Sequence, residues 1–254
     1  GFINGEQHNK NKAWQVIEGI KGSINSITYK PMESINYLEA HDNYTLWDQI
    51  VKSQNHSVEK GHYRDFNEEN ILDNFYVKED LLGASILFTS QGIPFIQSGA
   101  EILRSKDGDH NSYKSPDSIN ALNWAEKEKY IDVFNYYKDL ISLRKNHSAF
   151  RMKNPEDIIE NLEVYFYDNN DTSGVIIAHY KNNTNEDLWK DIVVIYNGTT
   201  IDDYNVISSM PKSSNGFWNI AVKNGVVNQF GIERVSEDEI PKIKSHSMMI
   251  LYDE

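Results

Sequence analysis

The sequence predicts two folds in tandem, an α/β part up to about residue 155 and an antiparallel β part after it. Three observations carry this. In the first part, apolar residues recur at helical spacing in stretches that alternate with short apolar runs. Long polar loops follow those runs, which is the grammar of a parallel α/β fold. Beyond residue 155, runs of β-branched and aromatic residues succeed one another with no helical spacing between them.

Taken in order, residues 12–21 place Trp14, Ile17 and Ile20 at roughly helical spacing, and Gly22 closes the stretch. "SINYLEAH" (34–41) reads as a strand that turns polar at its C-terminal end, and a polar loop is expected over roughly 48–70. Val77, Leu81, Ala84 and Phe88 then recur at intervals of four, three and four, an amphipathic helix whose end Gly92 marks. "IPFIQSG" (93–99) is short, apolar and continuous, as expected of a strand buried on both faces. A second polar loop covers roughly 101–127, and Tyr130, Phe134, Tyr137 and Ile141 repeat the helical spacing to about 145. "LEVYFYD" (162–168) and "GVIIAHY" (174–180) flank "NNDTS" and read as a hairpin. "DIVVIYNG" (191–198) and "SMMILYD" (247–253) continue the pattern, so the second part is expected to be a small antiparallel β-sandwich. No internal repeat or low-complexity linker is found.

Composition narrows the function classes. At 254 residues the chain is long enough for one large domain or two ordinary ones. With 39% hydrophobic and 12% aromatic residues it can build a packed core, which argues against wholesale disorder. A net charge of -13 argues against nucleic acid or an anionic membrane as the main partner and favours a neutral or cationic ligand. The absence of cysteine excludes disulfides and thiolate metal sites but leaves the compartment, cytoplasmic or secreted, open. No apolar run reaches the ~20 residues of a membrane-spanning helix. "GFINGEQHNK" has neither the basic region nor the apolar core of a signal peptide, and it opens without methionine, as an excised piece would. N-x-[ST] matches, among them Asn43, Asn55, Asn146, Asn182 and Asn197, are compositional in a chain this rich in Asn, Ser and Thr.

The stretch with most chemistry is "LEAHDNYTLWD" (38–48). An apolar approach runs into Glu39, His41 and Asp42, followed by Asn43, Tyr44 and Trp47. Acids and a histidine beside aromatics suit a sugar site, yet they also suit a helix cap or a surface pair at a strand end. Glu39 falls on the same strand face as His41, but an acid inside a strand more often pairs with a basic neighbour, and no catalytic role is assigned to it. Trp47 either lines a cleft, since sugars present apolar C–H faces to aromatic rings, or packs under the loop. In "KDGDHNSYKSPDS" (106–118), Asp107, Asp109 and Asn111 follow the 1, 3, 5 spacing of a calcium loop. Ser112 at position six and Ser118 at position twelve spoil the match, and no metal or other cofactor is assigned. His62, His110, His147, His179 and His246 show no metal-ligand spacing, and "SEDE" (236–239) reads as a solvated turn.

Three motifs in order, "INYLEAHDNYTLWD", "SQGIPFIQSGAEILR" and "GDHNSYKSPDSINALNW", resemble the C-terminal part of type I pullulanases, in the α-amylase superfamily of glycoside hydrolases. The helix "YYKDLISLRKNHSAF" and the β part continue the likeness, so it covers nearly the whole chain. The resemblance implies that 34–41 and 93–99 are the seventh and eighth strands of a (β/α)8 barrel. Residues 1–155 would then be the last two strand–helix units of the barrel, and 156–254 a C-terminal β-sandwich. Catalytic groups of such barrels gather at the C-terminal strand ends, where His41 and Asp42 fall. By the same resemblance Asp42 is a third carboxylate, neither nucleophile nor proton donor. It would hold the hydroxyls of the sugar under attack and stabilise the transition state, an effect that can supply several kcal/mol. His41 would bond the same sugar, and Asn43 would bind substrate or organise the site. Asn111, Tyr113 and, less directly, Asp109 would contact sugars beyond the cleaved bond, against the plainer reading of an ordered polar loop.

Retaining glycosidases need two further carboxylates ~5–5.5 Å apart. The resemblance places these after the fourth and fifth strands, upstream of Gly1, so this chain by itself is expected to be inactive. The function expected of the intact protein is hydrolysis of α-1,6 linkages in pullulan, limit dextrin, glycogen or amylopectin. The alternatives are an isoamylase-like or other superfamily specificity and, in another class, a noncatalytic glucan-binding or assembly module. Two parallel strands without neighbours would leave an unpaired edge and an apolar face. Self-association, pairing with a copy, or packing on the β part is therefore expected.

Overall fold

The computed structural model describes residues 1–66, 69–166 and 174–254. Helix α1 (Lys10–Ile20) starts where the Asn9 side chain accepts the backbone N–H of Asn11, and it buries Ala13, Ile17 and Ile20. Trp14 points the other way and meets the ring of Phe166 edge-on at 5.3 Å. Helix α3 (Phe75–Thr89) starts at Asn74, whose side chain accepts from the N–H groups of Tyr76 and Val77. That cap satisfies donors that a helix start leaves free. The apolar spacing read from the sequence is there, but α3 is not half-solvated. Glu79, Asp80, Ser85 and Thr89 are buried as well, because the helix is wedged between other elements.

Helix α6 (Ile131–Asn146) lies against α3 and buries Val133, Tyr136, Tyr137, Leu140, Leu143 and Arg144. Short helices α4 (Asp117–Asn120) and α5 (Glu126–Lys129) interrupt the second polar loop, and α7 (Pro155–Asn161) leads into the β part. Arg144 closes the C-terminal end of α3. Its guanidinium donates to the carbonyls of Phe88, Ser90 and Gly92 at 2.9, 2.6 and 2.7 Å. Gly92 follows with φ +97°, and a Cβ there would lie 2.9 Å from the Ser34 carbonyl oxygen. The turn into the next strand therefore requires glycine.

Two expected strands are much shorter than their apolar runs. Strand β1 is Ile35–Asn36 and β2 is Ile93–Pro94, paired in parallel. The bonds that join them run from the Ile93 N–H to the Ser34 carbonyl and from the Phe95 N–H to the Asn36 carbonyl, each 2.8 Å. A ladder extends only where a partner backbone faces it, and past Asn36 the chain turns so that Glu39 reaches another element. The segment expected to be buried on both faces is half-open, with Ile93 and Phe95 partly exposed. The polar loop expected from residue 48 begins instead as helix α2 (Leu46–Gln54), with Thr45 accepting the Asp48 N–H.

The β part begins with β3 (Leu162–Phe166) and β4 (Val175–Tyr180), which pair antiparallel as expected. The turn assigned to "NNDTS" lies outside the described residues. Among the described residues, strands β5 (Asp191–Asn197), β6 (Phe217–Lys223), β7 (Val226–Val227), β8 (Glu233–Ser236) and β9 (Ser247–Asp253) complete one seven-stranded antiparallel sheet. Its order is β3-β4-β5-β9-β6-β7, with β8 also on β6. The β6–β7 hairpin turns at Asn224-Gly225, both at positive φ, a dipeptide suited to a two-residue hairpin.

Alternate residues of the sheet enter two separate cores, as a period of two requires. Ile176, Ala178, Ile192, Val194, Tyr196, Ile250 and Tyr252 join the helices. Val175, Ile177, Val193, Ile195, Met249 and Leu251 join Val206, Trp218, Ile240 and Ile243 on the other side. The helical layer is bonded to the sheet as well as packed on it. Tyr196 Oη and Thr89 Oγ1 are 2.6 Å apart, and Tyr180 donates to the Thr89 carbonyl at 2.7 Å.

Candidate functional site

The segment leaving β1 reaches α2 within a few residues, and that short loop carries His41, Asp42 and Asn43. Glu39 anchors its start. The side chain is buried, and Oε2 accepts the backbone N–H of Leu46 at 2.6 Å. Burial pushes this carboxyl up to about 7, against the Leu46 bond and the charges of Arg104 and Lys106. The basic side-chain partner expected from the sequence is thus replaced by the first N–H of a helix, a favourable place for a carboxylate. Trp47 packs under the loop instead of lining a cleft, with Nε1 donating to the Tyr63 carbonyl and its ring against Phe66 and Tyr76.

His41 and Asp42 stand out from the surface, with side chains 88% and 80% exposed and His41 Nε2 3.5 Å from Asp42 Oδ2. Asn43 follows at φ +65°, a left-handed conformation that asparagine tolerates better than most residues.

The loop after β2 comes to the same place. Asp48, fully buried on α2, accepts the Ser105 hydroxyl, the Lys106 N–H at 2.8 Å and the Gly108 N–H at 3.2 Å. Burial raises its pKa, and these bonds act against the rise. Gly108 lies at φ +71°, where a Cβ would sit 2.3 Å from the Tyr63 ring. From this loop Lys106, itself buried, sends Nζ back to the carbonyls of Asn43 at 2.7 Å and His41 at 3.3 Å. Tyr44 and His110 also meet, with ring centres 5.5 Å apart.

The residues of 106–118 differ in what they offer. Asp109 is occupied within its loop, accepting the Asn111 N–H at 3.0 Å and the Ser115 hydroxyl at 2.6 Å, and these two bonds lower its pKa. Asp107 accepts the Gly61 N–H. Asn111 and Tyr113 are exposed, Tyr113 at 73%, with the Lys114 ammonium over its ring. Among the described residues no group of three acidic or histidine side chains is arranged to hold a metal.

The two sequence segments are therefore joined. His41, Asp42 and Asn43 sit on one loop, and Asp109, Asn111 and Tyr113 on another tied to it. Sequence reasoning missed the groups that do the joining, Asp48 and Lys106. Thr45 followed three residues later by Asp48 was a usable helix-start signal. No local pattern marks Lys106.

A histidine and a carboxylate on the loop between β1 and α2 thus stand beside a loop of exposed amide and aromatic groups. No protein-family profile matches the chain. A pullulanase of Bacillus subtilis (strain 168) is 36% identical over 208 residues, which is 78% of this chain and 26% of that protein. The solved pullulanase from Bacillus acidopullulyticus superposes with a TM-score of 0.80 at 32% identity, covering 100% of this chain and 28% of that one. Pullulanase type I from Bacillus subtilis str. 168, complexed with maltose, gives 0.78 at 29% identity, covering 99% of this chain and 32% of that one. The chain is pullulanase-like and corresponds to a C-terminal part of an α-amylase-superfamily enzyme. It spans less than a third of the length of these relatives.

Proposed function

We propose that this chain serves, within a longer protein, a starch-debranching glycoside hydrolase that cleaves α-1,6-glucosidic linkages in branched α-glucans by a retaining mechanism. In this reading residues 1–155 supply the last two strand–helix units of a (β/α)8 barrel and 156–254 a C-terminal β-sandwich. Pullulan, limit dextrin, glycogen and amylopectin are the substrates of the class. The observation that carries the reading is the pinning of the His41–Asn43 loop to the loop of Asn111 and Tyr113 through Lys106. It ties together the two loops that carry the assigned residues, in a chain whose likeness to pullulanases runs from end to end.

Asp42 stabilises the transition state by accepting from hydroxyls of the sugar at the cleavage point, bonds that strengthen as the ring flattens toward an oxocarbenium ion. His41 bonds the same sugar, Asn43 organises the loop, and Asn111 and Tyr113 hold sugars beyond the cleaved bond. Asp109 acts through its loop. The nucleophile and proton donor come from elsewhere in the protein. Glu39, buried and bonded to Leu46, does not stand in for either. The exposed side chains of Ile35, Tyr37 and Phe95 favour self-association of the isolated chain.

The test is Asp42→Asn in the full-length protein, assayed for reducing-sugar release from pullulan. Turnover is expected to fall by about 10²-fold or more, as when a single transition-state contact is lost, with the melting temperature kept. Near-normal turnover removes Asp42 from the mechanism. The chain by itself is expected to release no reducing sugar, and measurable release from pure material would contradict the division of labour.

A further inference from the structure

We propose that Lys106 is a positioning residue for Asp42, and that it couples the glucan-contacting loop to the transition-state carboxylate; the catalytic part of this rests on the functional reading above. Asp42 lies between His41 and Asn43, whose carbonyls both accept from Lys106 Nζ, at 3.3 and 2.7 Å. The backbone on either side of the carboxylate is thus held by one ammonium. The Asp42 carboxylate lies 3.5 Å from Nε2 of His41, its neighbour on the same backbone, so its direction follows that backbone.

The ammonium is held in turn. Lys106 is 2% exposed, and its own N–H bonds Asp48 Oδ2. Asp48 belongs to the helix that the 41–45 loop leads into. Chain, carboxylate, loop and ammonium therefore close a ring around Asp42. Asn111 and Tyr113 lie five and seven residues beyond Lys106 on the same loop. A sugar that seats or shifts this loop acts on the backbone that aims Asp42. The lysine ammonium donates to both carbonyls, and a buried charge resists leaving those bonds unmade.

The test combines turnover with hydrogen exchange in the full-length protein. Lys106→Met keeps an unbranched side chain of similar length. Misaiming a catalytic group by about 1 Å costs about 10²-fold, so kcat on pullulan is expected to fall by that order with KM little changed. The amides of residues 41–45 are expected to exchange faster. In an Asp42→Asn background the same change should add little, since coupled groups do not lose activity independently. Equal fractional losses in both backgrounds, or unchanged turnover and exchange, would overturn the proposal. A protein that does not hydrolyse pullulan, or whose Asp42→Asn variant is unimpaired, overturns the functional reading and with it the catalytic role. In that case the exchange data still decide whether Lys106 holds the loop. If Lys106→Met does not fold, NMR of the wild type decides. Slowly exchanging Lys106 Nζ protons with scalar coupling to the His41 and Asn43 carbonyl carbons are expected, and a freely exchanging ammonium would refute the clamp.

Discussion

Glu39 Oε2 accepts the Leu46 backbone N–H at 2.6 Å, spanning the loop that carries His41, Asp42 and Asn43. The acid nearest the site in sequence is therefore a brace. Glu39→Ala would leave that N–H without its partner and is expected to cost about 1–3 kcal/mol, read from the urea midpoint. The raised pKa, about 7, sets the sign of the pH dependence. A folded-state value above the unfolded one means the contribution is complete below the usual carboxylate range and fades as pH rises through 7. Glu39→Gln should flatten that decline. A variant as pH-sensitive as the wild type would refute the assignment.

Asp80 gives the same sign more strongly. It is buried on α3, accepts the Tyr137 hydroxyl at 2.8 Å, and burial pushes it up to about 8, with Glu39 adding to the rise. The folded protein holds a proton that the unfolded chain releases near pH 4, so this contribution is lost between about pH 4 and 8. Asp80→Asn is expected to melt closer to the wild type at pH 5 and above it at pH 8.5. Each kcal/mol corresponds to about 2–4 °C. Calorimetry at the two pH values checks the crossover.

Arg144 holds three carbonyls at the end of α3. Its pKa is lowered by burial to about 10, so it stays charged at neutral pH. Arg144→Met leaves those carbonyls without a donor, at about 1–3 kcal/mol for each buried group left unmade. The denaturant midpoint should drop accordingly, and the Ile93 amide should lose exchange protection with it, because Gly92 leads directly into β2. An unchanged midpoint would mean that water replaces the guanidinium.

Strands β1 and β2 present Ile35, 61% exposed, beside Tyr37 and Phe95, whose rings meet edge-on at 6.3 Å. A short two-stranded edge with apolar side chains on one face invites pairing. The isolated chain is expected to sediment as a concentration-dependent oligomer, and Ile35→Lys to shift it toward monomer. A wild-type monomer at all concentrations would remove self-association from the account.

The main elements were legible because their signals are local. Val77, Leu81, Ala84 and Phe88 fix one face of α3 whatever lies around it, and the β-branched and aromatic runs of β4, β5 and β9 mark sheet strands. Strands β6, β7 and β8 went unread, although "FWNIAVKNGVV" holds an alternating run and an Asn-Gly turn. Helix α2 was read as loop because its polar residues hid the Thr45 cap. The runs 34–41 and 93–99 were read as full strands because apolar sequence reports a wish to be buried, while strand length depends on a facing backbone.

The sequence by itself determined helices α1, α3 and α6 and strands β3, β4, β5 and β9, and where the histidine, the acid and the amides of the candidate site fall along the chain. Periodicity and residue chemistry are properties of neighbours in sequence. The tertiary structure alone decided that Glu39 braces a helix start, that Asp48 shapes the 105–108 loop and that Lys106 reaches the carbonyls around Asp42. Those bonds join residues that are neighbours only after folding, and no spacing along the chain records them.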